Sequence, residues 1–205
     1  MNIPLNVDVQ CTDGEGGRAV AAVLDPVRLT MSHIVVDVKG HGSKEHLVPL
    51  EYLTASTPKS ISLRCTREEL SYFEPFLKME RVDDMGIGMA NAQGLAYAEF
   101  QSGISTTDFE MAGGGPGYIE TEAIPANEIA TRHGIPVQAT DHKVGQLDEF
   151  MVDTESGQIT HIVLKEGHLF GRKEIPVAAD QIDRIGEIEI FLKLSKDEVE
   201  ALPSL

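Results

Sequence analysis

Tryptophan is absent from this 205-residue sequence, only 5% of its residues are aromatic, and positive charge is scarce. The chain has 17 Lys and Arg against 33 Asp and Glu, which gives a formal net charge of -16 at pH 7. A protein that binds nucleic acid directly needs a basic surface to displace counterions from phosphates. The shortage of basic residues therefore predicts no direct binding of nucleic acid, and it favours a basic protein as the partner.

Long hydrophobic runs and cysteine clusters are also missing. The N-terminal MNIPLNVDVQ lacks the cationic start and apolar stretch of a signal peptide, and no window approaches the roughly 18 apolar residues of a membrane span. Cys11 and Cys65 are the only cysteines, which favours two buried free thiols over a disulfide or a redox pair. We expect a cytoplasmic protein with no transmembrane segment, which leaves peripheral association with a membrane complex open.

An internal repeat is the strongest feature that is present. The sequence matches itself without a gap when Gln10–Val36 is set against Gln138–Leu164. The identities are Gln10, Thr12, Asp13, Gly17, Asp25, His33, Ile34 and Val35 with Gln138, Thr140, Asp141, Gly145, Asp153, His161, Ile162 and Val163. Further along, Val48-Pro49 aligns with Ile175-Pro176, and Thr66–Leu70 aligns with Ser195–Val199. Similarity that keeps the same order along most of both copies predicts a duplication.

Each copy has the pattern of short β-strands. In the second, the run Leu147–Val152, the turn residues Asp153–Gly157 and the β-branched run Ile159–Leu164 predict a hairpin. Ser195 with Glu198 has the spacing of a capping box and predicts a short helix, as does Thr66 with Glu69. A small sheet exposes its edges unless it closes. We therefore predict a mainly β fold of two small barrels, each with about six strands and short helices.

The predicted domains are a divergent barrel at residues 1–76, a connector at 77–129 and a second barrel at 130–205. The connector is acidic and rich in Gly and Met. Its run Gly113–Gly117 lacks the preceding strand, following helix and Lys of a phosphate-binding loop, so it is interpreted as a mobile linker. Within Ile124–Arg132, Asn127 could cap a short helix that Gly134 ends.

The second copy resembles the PRC-barrel domain. This family is named for the cytoplasmic part of the photosynthetic reaction-centre H subunit and includes the C-terminal half of the ribosome-maturation factor RimM. The resemblance covers most of residues 130–203 and rests on the Asp141–Gly145 turn, the Asp153–Leu164 hairpin and the Ile175-Pro176 step. The first copy matches more faintly. The resemblance implies PRC-type barrels that serve as a binding module without catalytic residues of their own.

A non-enzymatic cytosolic adaptor or scaffold is the leading functional hypothesis. Its tandem barrels would bind a protein partner, and a membrane complex is one place where this partner could lie. The alternative is a ribosome-assembly factor that binds a basic ribosomal protein. Homo-oligomerisation or packing of the two barrels against each other is also expected, because the outer faces of the strands are partly apolar.

No catalytic, cofactor-binding or metal site is predicted. His33 and His41 recur as His161 and His168, but no carboxylate or thiol recurs beside them at ligand spacing. Neighbouring acids such as Asp148 and Glu149 are adjacent in sequence, and adjacent residues of a strand point to opposite faces. These acids are therefore interpreted as solvated charge.

The candidate contact residues lie on the outer faces of the repeated strands and in one loop. His161 and Val163 alternate with Ile162 and Leu164 along one strand, as His33 and Val35 do with Ile34 in the first copy. The loop consists of Gly167, His168, Leu169, Phe170 and Gly171. Its two large apolar side chains align with Gly42 and Ser43, which predicts a contact with a partner or the other barrel. That the loop instead plugs its own barrel end is left open.

Overall fold

The computed structural model of this protein describes residues 1–39, 44–81, 118–166 and 173–205. The chain divides into two compact units, one formed by residues 1–76 with 124–205 and the other by Leu77–Ala123. Most described residues lie in β-strands, so the predicted mainly β fold is confirmed. The candidate loop Gly167–Gly171 and the run Gly113–Gly117 lie outside the described residues.

The larger unit contains two halves with the same succession of elements. Strands of the first half are β1 (Asn2–Pro4), β2 (Val7–Cys11), β3 (Gly14–Asp25), β4 (Thr30–Val38), β5 (Lys44–Pro49), β6 (Leu53–Thr57) and β7 (Ser60–Leu63). Strands of the second half are β10 (Ile129–Arg132), β11 (Pro136–Gln138), β12 (Lys143–Val152), β13 (Ile159–Glu166), β14 (Lys173–Ala178), β15 (Ile182–Ile185) and β16 (Ile190–Leu192). Helix α1 (Arg67–Leu70) and a 3-10 turn at Leu50–Tyr52 belong to the first half, and α2 (Lys196–Glu200) and a 3-10 turn at Ala179–Gln181 to the second.

Two seven-stranded sheets result, and their strand orders correspond. The first runs β5-β4-β3-β2-β7-β6 with β10 on β3, and the second runs β14-β13-β12-β11-β16-β15 with β1 on β12. Pairing is parallel between β2 and β7 and between β11 and β16, and antiparallel between the other neighbours. The smaller unit contains the antiparallel pair β8 (Leu77–Arg81) and β9 (Tyr118–Glu122), which the sequence did not predict.

Cross-strand partners correspond between the two sheets. Ile34 pairs with Val48, and its equivalent Ile162 pairs with Val177. The predicted alignment of Val48 with Ile175 is therefore wrong, because the register equates Val48 with Val177. Register shifts occur at corresponding places, namely Val9/Gln10 and Val137/Gln138, Ala19/Ala21 and Leu147/Glu149, Val23/Leu24 and Met151/Val152, and Leu53/Ala55 and Ile182/Arg184.

The two α-helices of the described residues begin with the predicted type of cap. The Thr66 amide donates to Glu69 Oε2 at 2.8 Å, and the Ser195 amide donates to Glu198 Oε2 at 2.8 Å. Each helix also donates a first-turn amide to a distant aspartate, from Arg67 to Asp13 and from Lys196 to Asp141, at 2.8 Å in both cases. These amide bonds lower the pKa of both aspartates.

The sheets do not close into barrels in the described part of the chain, because no pairing joins β5 to β6 or β14 to β15. Other segments cover the outer edges instead. In the first half, the Leu47 amide donates to the Glu74 carbonyl and the Phe76 amide to the Glu45 carbonyl, both at 2.8 Å. In the second, the Leu205 amide donates to the Glu174 carbonyl at 3.0 Å. Edge cover of this kind removes the need for closure.

The two halves share one hydrophobic core. A single buried cluster joins residues of both sheets, including Leu24 and Ile34 with Phe150 and Ile162. Strand exchange holds the halves together. Strand β1 precedes the first sheet but pairs with β12, and β10 precedes the second sheet but pairs with β3.

The exchange is reciprocal at the level of single residues. Asn2 pairs with Met151, and their equivalents in the repeat, Ala130 and Val23, pair with each other. At the β3–β4 and β12–β13 hairpin tips, the Met31 amide donates to the Gly157 carbonyl and the Ile159 amide donates to the Leu29 carbonyl, each at 2.8 Å. Thr30 and Gln158, which are themselves equivalent, form the bridge between the tips. The halves are thus related by a local two-fold axis through this bridge.

The predicted short helix within Ile124–Arg132 is wrong. Asn127 has a positive φ of 68°, and Ile129–Arg132 forms the exchanged strand β10. Ala130 and Thr131 are buried in this strand, against the first sheet. So short a segment has little intrinsic preference, and the available edge of β3 decides its conformation.

Candidate functional site

The four outer-face candidates lie at equivalent places but differ in exposure. Val35 and Val163 have no exposed surface, whereas His33 and His161 are half-buried. Nδ1 of His33 lies 2.8 Å from Ser32 Oγ, and Nδ1 of His161 lies 3.2 Å from Thr160 Oγ1. Burial lowers the pKa of His33, which is therefore neutral at pH 7. A role of these residues in partner contact stays a prediction.

The outer face of the first sheet is apolar and covered. Ala21, Val35 and Leu47 form one cross-strand row, and all three are buried. Phe76 is fully buried as well, and the Arg132 guanidinium lies 5.8 Å from the centre of its ring. Arg132 also donates both terminal nitrogens to the Glu45 carboxylate, at 3.0 and 2.9 Å, which fixes the exchanged strand β10 to β5.

The corresponding face of the second sheet carries charged groups. Glu149 takes the place of Ala21, pairs with Val163, and is 8% exposed. Its neighbour Asp148 is the extra residue of the register shift between Leu147 and Glu149. A bulge turns two consecutive residues towards one face of a sheet. The prediction that Asp148 and Glu149 are solvated on opposite faces is therefore wrong.

A polar cluster surrounds these two acids, and we define it by six residues. They are Asn2, His133, Asp148, Glu149, Lys165 and Glu174. Asn2 of the exchanged strand β1 donates its Nδ2 to Glu149 Oε1 at 2.9 Å. Lys165 Nζ donates to both Asp148 oxygens at 2.8 and 2.9 Å and lies 3.8 Å from Glu174 Oε1. His133 Nε2 is 3.2 Å from Asp148 Oδ1.

The electrostatic balance of the polar cluster is negative. Burial raises the pKa of Glu149, the charges of Asp148 and Glu174 raise it further, and Asn2 and Lys165 act in the opposite direction. The cluster contains three carboxylates and one ammonium, that of Lys165, which pairs with Asp148 and Glu174, so the cluster favours a further positive charge. The Asp148 side chain is 16% exposed and that of Glu174 is 46% exposed, which leaves a path for such a charge from solvent.

The two cysteines and the possible metal ligands outside the polar cluster are the next candidates. Cys11 and Cys65 are both free and buried. Burial first, and then the neighbouring Cys65, raises the pKa of Cys11 to about 12, so its reactive thiolate is scarcely populated at neutral pH. Among the described residues, no group of three or more His, Cys, Asp and Glu side chains is arranged to hold a metal ion.

A shallow cleft lies beside β11. Its lining includes Asp141, Asp183, Glu189 and Phe191. Asp141 already accepts the Lys196 amide, and Arg184 covers the Phe191 ring at 4.4 Å from its centre. Asp141 and Phe191 are thus engaged with the protein itself. The polar cluster is the better candidate site because it contains a nearly buried carboxylate of raised pKa, that of Glu149.

The sequence contained an overlooked signal for this site. In the alignment of the repeat, Asp148 and Glu149 fall opposite Val20 and Ala21, so two acids replace two apolar residues inside a matching strand. A charged pair at positions that are apolar in the other half indicates that this face has a different role there.

Comparison with known proteins adds one finding. Residues 133–199 match the family model of the PRC-barrel domain. The match contains every charged residue of the polar cluster and spans the strands from β11 to β16. No curated protein matches the chain. In the described residues, none of the helices has the length and apolar character that a membrane span requires.

Proposed function

We propose that this protein is a non-enzymatic cytoplasmic adaptor that binds a basic protein partner at a membrane complex. The polar cluster of the second sheet is the proposed docking point. The observation that supports it most directly is that three carboxylates, of Asp148, Glu149 and Glu174, lie in one cluster whose only ammonium, that of Lys165, pairs with Asp148 and Glu174. The net charge of -16 also supports it, because complementary charge accelerates encounter with a basic partner.

The same proposal treats the two halves as copies of one PRC-type unit. Corresponding strand orders, registers and bulges support the duplication, together with the sequence repeat. In this interpretation the first half retains an apolar, covered outer face, while the second half has acquired the polar cluster. Divergence of one copy provides a new binding surface without loss of the shared core.

A binding role fits the polar cluster better than catalysis. Glu149 has the raised pKa of a candidate acid or base, but it is 8% exposed and bonded to Asn2. Asp148 has both oxygens occupied by Lys165. Such groups set the potential of the surface, and little of Glu149 is accessible to a substrate.

Affinity capture from host lysate tests the proposal. The bait proteins are the wild type, the cluster variant Asp148→Asn/Glu149→Gln, and the control variant Glu155→Gln/Glu187→Gln, which changes the net charge equally at exposed positions. We expect the wild type and the control to capture the same membrane-complex subunit. The cluster variant should recover about tenfold less of this subunit, as expected when a charged pair is lost. Thermal melts establish that all three baits are folded.

Two results would overturn this assignment. Equal recovery of the partner by the cluster variant and the wild type would remove the polar cluster from the binding site. Selective recovery of small-subunit ribosomal proteins by the wild type would support the ribosome-assembly alternative over the membrane complex.

A further inference from the structure

Each half of the larger unit leaves a gap on one edge of its longest strand, and the other half fills it. Strand β4 covers one edge of β3 along Gly17–Asp25. On the opposite edge, β2 reaches from Gly14 to Ala19, and β10 of the other half pairs with Ala21–Leu24. Strand β12 is completed in the same way by β11 and by β1. A strand edge of this kind accepts any segment that offers the right backbone and side chains.

We infer that a second copy of this chain can supply the missing strands, so that the first half of one molecule completes the second half of another. The product is a two-fold dimer formed by exchange of halves, with the same pairings that the single chain makes internally. This inference is independent of the proposed function. Domain exchange creates a dimer at low cost because every contact already exists in the monomer.

Residues 77–123 join the two halves. The two ends of this segment pair with each other as β8 and β9, so exchange requires these pairs either to open or to form between the two chains. The choice between monomer and dimer is then set by concentration. Tethering of the two halves in one chain gives an effective concentration on the order of 1 mM, which favours the monomer at micromolar protein.

Charge adds a second control on the exchange. Each chain carries a net charge of -16, so two chains repel each other at low ionic strength. At physiological ionic strength, salt screens the repulsion between charges that are farther apart than the Debye length of about 8 Å. The exchanged dimer should therefore increase with both protein concentration and salt.

Cysteine trapping at the two-fold axis gives a direct test with the full-length chain. Thr30 and Gln158 face each other across the bridge between the hairpin tips, and side chains opposite each other in such a pair are close enough for a disulfide. The double variant Thr30→Cys/Gln158→Cys reports the internal contact. A mixture of the single variants Thr30→Cys and Gln158→Cys forms this disulfide only between two chains. The native Cys11 and Cys65 are buried. Each single variant, oxidised by itself, measures the background of disulfide dimers that form through other pairs of cysteines.

We expect the mixture, unfolded and refolded together, to give a covalent heterodimer that rises about tenfold between roughly 10 µM and 1 mM protein. Light scattering of the wild type refolded at the higher concentration should show a matching dimer. The inference is overturned if the double variant forms its internal disulfide while the mixture never exceeds background. It is equally overturned if the wild type scatters as a monomer at every concentration and salt.

Discussion

At the scale of single residues, the two halves differ most where charge replaces apolar packing. Glu149 occupies the place of Ala21 and has a raised pKa because it is buried, while Asn2 supplies one hydrogen bond to it. Because its pKa is higher in the folded than in the unfolded chain, its contribution favours folding at acid pH. That contribution is lost as the pH rises through the folded value.

Substitution Glu149→Gln should therefore stabilise the protein at pH 7, because the amide keeps an acceptor for Asn2 but has no charge to desolvate. Thermal melts should show a higher Tm than wild type at pH 7. The difference should shrink as the pH falls below the ordinary range of glutamate. Glu187→Gln, at an exposed position, is the charge-matched control. A lower Tm for Glu149→Gln at pH 7 would contradict this account of Glu149.

Packing beside the two caps shows a different kind of divergence. A Cβ on Gly16 would lie 2.6 Å from Cys11 Sγ and 2.9 Å from Leu70 Cδ2. In the second half, the larger Val144 takes the place of Gly16. The smaller Ala139 and Val199 take the places of Cys11 and Leu70. Volume is thus redistributed among three contacting positions, as close-packed interiors require.

Gly16→Val alone should destabilise the protein by about 1–3 kcal/mol, since no space is free for the added side chain. The triple variant Gly16→Val/Cys11→Ala/Leu70→Val reproduces the second half and should recover most of this loss. Urea unfolding of the single and triple variants measures the difference. If the triple variant is less stable than Gly16→Val alone, the three positions do not compensate one another.

At the scale of elements, the hairpin tips and exchanged strands decide how the halves join. Gly157 has a φ of 73° and its carbonyl accepts the Met31 amide of the other hairpin. Its equivalent, Leu29, adopts the same region with a φ of 53°. The left-handed backbone at both tips turns each carbonyl towards the opposite strand, at a cost for leucine of about 1 kcal/mol.

Gly157→Ala should be more destabilising than Gly134→Ala, although both glycines have a positive φ. A Cβ at Gly157 would lie 2.7 Å from the Met31 carbonyl oxygen, whereas one at Gly134 has no atom within 4 Å. We expect Gly134→Ala to lower the free energy of unfolding by about 1 kcal/mol through the backbone strain alone. Gly157→Ala should lower it by about 1–3 kcal/mol more. Chemical denaturation checks the order, and equal losses would show that the tip crossing contributes little.

At the scale of the whole molecule, the larger unit depends on both halves. The buried cluster is continuous between the sheets, and each sheet takes its seventh strand from the other half. The halves therefore act as one cooperative body, and the peptide connection between them is not what keeps them together.

Cleavage at a protease site placed within Gly113–Gly117 should leave the two halves associated. Light scattering should give the mass of the uncut chain, and the Tm of the cut protein should become dependent on concentration, because its unfolding releases two molecules. Release of two independently tumbling fragments would refute the exchange of strands.

Local patterns in the sequence determined much of this fold. The mainly β class, the β12–β13 hairpin and the two capped helices follow from alternation, turn residues and caps, which act over a short stretch of chain. The repeat also indicated which residues would be equivalent, apart from the misalignment at Val48. Such features survive in any tertiary context because their interactions are local.

Only the tertiary structure decided how these pieces combine. Strand exchange by β1 and β10, cover of the edges in place of barrel closure, and the shared core all depend on groups that are far apart in the sequence. The bulge that brings Asp148 and Glu149 to one face also depends on a distant segment, because it arises from the pairing of β12 with β13. The sequence by itself determined the strands and caps, whose energies are local. The polar cluster and the union of the halves required the tertiary structure, because pairing and burial are properties of distant partners.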